Sequence, residues 1–127
     1  MAGNRQSKRM SEDDSYIIAR HIAEYSLTKK AQDIWLLHVG SLTSMADYFV
    51  ICQGESEVQV KAIADAIIDG MRNEGVDVWH REGYKYLHWV LLDYVDVVVH
   101  IFHKKTRSFY GLERLWGDAE KEIFSEQ

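Results

Sequence analysis

Tyr48-Phe49-Val50-Ile51-Cys52-Gln53 is the stretch that decides the fold. It is a continuous apolar run, the pattern of a strand buried on both faces. Gly54 closes it. Ser56 stands where a helix N-cap is wanted, with Gln59 three residues on as its capping-box partner. Val60, Ile63, Ala64, Ile67 and Met71 then form an apolar stripe at helical spacing. Gly75 falls at the left-handed position that ends many helices. Val76 to Arg81 (VDVWHR) reads as the next strand. Strand, helix and strand in that order predict a crossover unit with the helix laid on a sheet.

The same reading extends in both directions. Upstream, Asp33 to Val39 (DIWLLHV) reads as a strand, joined to the first run by the polar connection Gly40 to Asp47. Ser11 opens an earlier helix, with Asp14 at N3 and Ile18, Ile22 and Tyr25 on its buried side. Lys29 and Lys30 suit the negative pole at its end. Downstream, Glu82 to Lys85 form a turn. Tyr86 to Asp93 and Val97 to His103 are strands of a hairpin, separated by Tyr94, Val95 and Asp96. From Thr106 the chain turns helical, with Phe109, Leu112, Leu115 and Trp116 on one side. The expectation is an α/β fold: a basic, disordered tail over 1–10, then one domain over 11–124 with a mixed sheet of about five strands flanked by helices.

A chain of 127 residues can bury one core. It has no proline, so nothing forces a kink or a rigid linker. No apolar run is long enough to cross a bilayer, and the polar N-terminus has no signal-like apolar region. With a single cysteine, Cys52, there is neither an intrachain disulfide nor a multi-thiolate zinc site. The bacterial cytosol is the expected compartment. Arg5, Lys8 and Arg9 lie in the first ten residues. Residues 11–127 hold 12 basic residues against 20 acidic, a formal charge of -8. That balance repels a phosphate backbone and suits a basic protein partner, or simply keeps the surface soluble.

Three constellations could support chemistry. His100 and His103 lie three apart on one strand, so they face opposite ways and cannot share a metal. His80 and His88 could meet across a hairpin, but no carboxylate motif supports them. Asp93 and Asp96, with Asp47 and the Gly54-Glu55-Ser56 turn, sketch a Mg²⁺-dependent nucleotidyltransferase. The sketch puts a carboxylate where a phosphate has to sit, and aspartates are common in turns for backbone reasons. Cys52, mid-strand, reads as inert packing. No cofactor and no metal are expected. Trp79, Tyr84, Tyr86, Trp89 and Tyr94 crowd the end of the sheet. Strand alternation separates Tyr86 from Trp89, so either some rings are exposed interface anchors or helices cover both faces.

The order of motifs resembles the RsfS/Iojap family of ribosomal silencing factors. Ala46-Asp47-Tyr48-Phe49-Val50-Ile51-Cys52 is similar to its ADYFVIC run, and Gln59-Val60 with Ala62-Ile63-Ala64-Asp65 to its helix motif. Glu82-Gly83, Trp89 to Tyr94, Asp96 to Phe102, and Arg107 with Phe109-Tyr110, Leu112-Glu113 and Leu115-Trp116 follow in the family's order. Two positions depart. Gln53 replaces Ser or Thr, and Val95 replaces the hairpin glycine, where a β-branched residue resists positive φ. The resemblance implies a nucleotidyltransferase-like topology without catalytic residues, hence no enzyme. It implies binding to the large ribosomal subunit through the fourteenth of the universal ribosomal proteins. Steric block of subunit joining and lowered translation under nutrient limitation or in stationary phase follow from it, often with a dimeric free state. Trp89 matches the family's contact tryptophan and Tyr94 a second apolar contact position. Leu91 and Asp93 join the expected site because they share a strand face with Trp89. Sequence-specific nucleic-acid contact and membrane contact are not expected. The alternatives are the Mg²⁺-dependent enzyme and a large-subunit maturation factor.

Overall fold

Ser11 accepts a hydrogen bond from the Asp14 amide at 3.2 Å and so starts α1, Glu12–Leu27, in a computed structural model that describes residues 11–125. The tail over 1–10 lies outside the described residues. Lys29 and Lys30 fall beyond the helix, in the turn that leads to β1, Gln32–His38. The deciding run is β2, Tyr48–Gly54. Ser56 caps α2, Glu57–Asn73, by accepting from the Gln59 amide at 3.1 Å. The Gln59 side chain reaches back, but to the amide of Glu55 rather than of Ser56. Gly75 ends the helix at φ +84, with its amide on the Arg72 carbonyl and that of Val76 on Met71.

The next elements are β3, His80–Glu82, β4, Trp89–Asp93, and β5, Val97–His103. Both β3 and β4 are shorter than the sequence predicts. Gly83 at φ +93 brings the chain against the Trp89 carbonyl, where a Cβ would lie 2.0 Å away, and the Leu87 amide bonds back to Gly83. This loop consumes residues assigned to the strand from Tyr86. The C-terminal segment differs more. It forms α3, Lys104–Tyr110, and α4, Leu112–Leu115, broken at the left-handed Gly111, then a strand β6, Glu120–Phe124. Leu115, expected on the buried side, is exposed.

Among the described residues the sheet has six strands where the sequence predicts about five, in the order β3-β4-β5-β2-β1-β6. The β2/β5 pair is parallel and every other pair is antiparallel. One face packs on α1 and α2. It carries Val50, Cys52, Val90, Leu92, Val99 and Ile101 against Ile22, Ile63, Ile67 and Met71. The other face carries Leu37, Ile51 and Phe102, with Leu112 packed on them and Phe49, Trp89, Val98 and Trp116 at their margin.

Candidate partner-binding strand

Alternation along β4 turns Val90 and Leu92 into the α1/α2 core and sends Trp89, Leu91 and Asp93 to the opposite face. All three are half-buried. Register sets their neighbours: Trp89 pairs with Phe102, Leu91 with His100, and Asp93 with Val98. On the other side Leu91 faces Glu82 and Asp93 faces His80, both exposed on the edge strand β3. Trp79, just before β3, is 63% exposed.

Trp89 is held rather than free. Its ring packs on Tyr110 at 4.6 Å and on Phe102 at 5.1 Å between centroids. Its indole N–H donates to His100 Nδ1 at 3.1 Å. His100 is 5% exposed, and burial holds its pKa down at about 3, so the ring stays neutral. The edge of Phe49 closes on it at 4.8 Å. The accepting Nδ1 requires the proton on Nε2, which makes no hydrogen bond among the described residues.

Tyr94 does not join the row. It is 5% exposed, inside the α1/α2 core, and burial pushes its hydroxyl up to about 12. Its backbone forms one end of a tight turn. The Asp96 amide bonds to the Tyr94 carbonyl at 3.0 Å around Val95 at φ +77, a γ-turn with a positive central φ. Asp93 Oδ1 accepts from the Val95 amide at 2.7 Å. Val95 thus adopts the conformation that its branched side chain disfavours, because side-chain and ladder bonds on both sides impose it.

The chain was then compared with known proteins. The family model described as "Ribosomal silencing factor during starvation" matches residues 12–127. The chain belongs to the ribosomal silencing factor family. It is 50% identical over 91 residues to the ribosomal silencing factor RsfS of Bacillus subtilis, covering 72% of this chain and 77% of that protein. The RsfS of Halalkalibacterium halodurans is 46% identical over 91 residues, covering 72% and 78%. A crystal structure of a protein from Chromobacterium violaceum superposes with a TM-score of 0.79 at 33% identity, over 93% of this chain and 95% of that one.

The other groups that could support chemistry make contacts within the fold. Asp96 is buried, and its carbonyl takes the amides of Asp47 and Tyr48 at 2.8 and 3.2 Å. Asp47 accepts from the Ser15 hydroxyl at 2.7 Å. His80 and His88 do not meet: each bonds its own carboxylate, Glu82 at 2.7 Å and Glu57 at 3.1 Å. Among the described residues no three His, Cys, Asp or Glu side chains could hold a metal. Cys52 is buried, and burial pushes its thiol up to about 12. No helix among the described residues is long and apolar enough to cross a membrane.

His100, which holds the Trp89 indole, is the residue of this row that the sequence reading leaves out. Its signal was present: across a hairpin whose strands are 89–93 and 97–103, position 100 is the diagonal neighbour of position 89.

Proposed function

We propose that this chain silences translation by binding the large ribosomal subunit and blocking the small subunit from joining it. The observation that carries the proposal is the row Trp89, Leu91 and Asp93, left half-exposed on the thinly covered sheet face of a ribosomal silencing factor domain. The partner is the fourteenth of the universal large-subunit proteins. A basic ribosomal protein complements a body of formal charge -8 and is drawn to it. Trp89, fixed by His100 and Tyr110, presents a pre-organised aromatic anchor, which limits the ordering cost of binding. Leu91 extends the apolar centre and Asp93 supplies an acceptor at its edge. Tyr94 acts from inside, by fixing the turn beside the row. The factor works in the cytosol, and a homodimer is the expected free state.

The test is sedimentation of purified protein with large subunits in sucrose gradients, with the yield of joined ribosomes read in parallel. Wild type is expected to travel with the large subunit and to lower joining. Leu91→Lys and Trp89→Glu are expected to lose both effects. Leu91 is the cleaner variant because Trp89 also packs on Phe102. Unchanged co-sedimentation of Leu91→Lys would remove β4 from the interface.

A further inference from the structure

A cleft of about 480 Å³ opens beyond the carboxyl ends of β2 and β5, lined by Trp35, Gln53, Lys104, Arg107, Glu113 and Arg114 together with Asp33. Its place in the topology is specific. β2 and β5 are the parallel pair, and the chain leaves β2 for α2 on one face and β5 for α3 on the other. Adjacent parallel strands whose connections part to opposite faces leave a crevice at their carboxyl ends, and open α/β sheets bind ligands there.

The wall of this crevice holds a buried, pre-set cation. Arg107 is 6% exposed. Its Nε donates to Glu113 at 2.6 Å, and its Nη1 to the Asp33 carbonyl at 2.6 Å and to Gln53 Oε1 at 3.2 Å. Nη2 is left with no hydrogen bond among the described residues. The carbonyl that fixes Arg107 belongs to Asp33, held at φ +49 where β1 bulges between Gln32 and Trp35. Left-handed backbone in a residue other than glycine persists only where its surroundings impose it. The Arg114 side chain makes no hydrogen bond or ion pair with a described residue. Lys104 stands at the rim, 3.5 Å from Glu55 in a loose, half-exposed pair. Of the two carboxylates in the cleft, Glu113 is paired with Arg107 and Asp33 forms no ion pair with a described residue, so Arg114 and Lys104 supply the cationic excess.

We propose that this cleft binds the phosphate group of a small ligand, with the Arg114 guanidinium and the free Nη2 of Arg107 as donors and Lys104 as the rim cation. The planar fork of Arg114 fits two phosphate oxygens, and Arg107, already ordered by its own bonds, adds its Nη2 donors. The same chemistry on an RNA backbone is the competing source, and the body's charge of -8 disfavours a polyanion over a small one.

The experiment is calorimetric titration of the full chain, with amide NMR shifts in parallel, against inorganic pyrophosphate, GDP and a short uridine oligomer at fixed ionic strength. Pyrophosphate or GDP is expected to bind, with shifts centred on Gln53 and residues 104–114. Arg114→Glu, an exposed change that spares the fold, is expected to weaken binding by about tenfold or more. Arg107→Lys is expected to weaken it similarly, with circular dichroism verifying the fold. Three results would each overturn the proposal: no binding of either small probe up to roughly 10 mM, binding that Arg114→Glu leaves unchanged, or tighter binding of the RNA than of both small probes. No ribosome enters the assay, so its outcome is separate from that of the silencing proposal.

Discussion

On the α1/α2 side of the sheet, Val50, Cys52, Val90, Leu92, Val99 and Ile101 are each 0% exposed. On the α3/α4 side, Ile51 and Phe102 are sealed as well, but Phe49, Trp89, Leu91 and Val98 on the same strands are only half-buried. Helix length accounts for the difference. α1 and α2 run 16 and 17 residues, whereas α3 and α4 run seven and four. A helix of seven residues spans roughly 10 Å, and six strands span roughly 24 Å. The short helices close one part of their face and leave the β4 row at the margin. One face holds the fold together, and the other is free to be covered by something else.

The largest effect should come from the sealed face. Ile67→Ala removes a 0% exposed side chain from between α2 and the sheet, where neighbours cannot collapse fully into the gap. A loss of about 2–5 kcal/mol is expected in denaturant unfolding. Leu91→Ala on the other face is expected to cost less than about 1 kcal/mol. Equal losses would end the division between the faces.

His100, on the α3/α4 side, makes the fold's stability depend on pH. Its folded pKa of about 3 lies below the ordinary 6.5, so the unfolded chain takes up the proton first as pH falls. Its contribution is therefore fully present above pH 6.5 and is lost progressively toward pH 3. By pH 5 the loss amounts to about 2 kcal/mol. His100→Gln has no proton to gain and can still accept from the Trp89 indole. Unfolding midpoints between pH 7 and pH 5 are expected to fall less steeply for this variant. Parallel slopes would mean that His100 is not shielded from water as its burial implies.

How much was legible in the sequence follows the same division. The sealed face was read nearly whole, because Tyr48 to Gln53, the Ser56 cap and the α2 stripe all agree on one structure. Local and global preferences coincide there. The C-terminal region was misread because its elements depend on partners far along the chain. Glu120 to Phe124 is mostly charged and shows no strand signal of its own. It becomes β6 by pairing with the open edge of β1, and Phe124 reaches the core only from that position. Similarly, the strand face of Trp89, Leu91 and Asp93 was legible from alternation. The burial of Tyr94 was not, because the γ-turn at Val95 begins where alternation stops applying.

That turn offers a smaller effect of opposite sign. Val95 is held at φ +77, which a branched side chain resists and glycine does not. Val95→Gly should relieve the strain at some cost in unfolded-chain entropy, for a net gain of about 1 kcal/mol. A lower melting midpoint would mean that the valine side chain contributes more by packing than the backbone loses by strain.

The smallest effect on stability should accompany the largest on binding, and Leu91→Lys isolates it. The side chain is half-exposed, so a lysine can run its methylenes along the sheet and place its ammonium in water. Its cross-strand neighbour on β3 is Glu82, an opposite charge that favours the substitution. Unfolding midpoints should shift by no more than about 0.5 kcal/mol. In the gradient assay the same change would put a cation into the apolar centre of the interface with a basic protein proposed above. There it is both desolvated and repelled, and a loss of co-sedimentation is expected. A variant that loses stability and binding together would leave the two faces doing the same job. One that keeps the fold and loses the ribosome separates the face that builds the domain from the face that uses it.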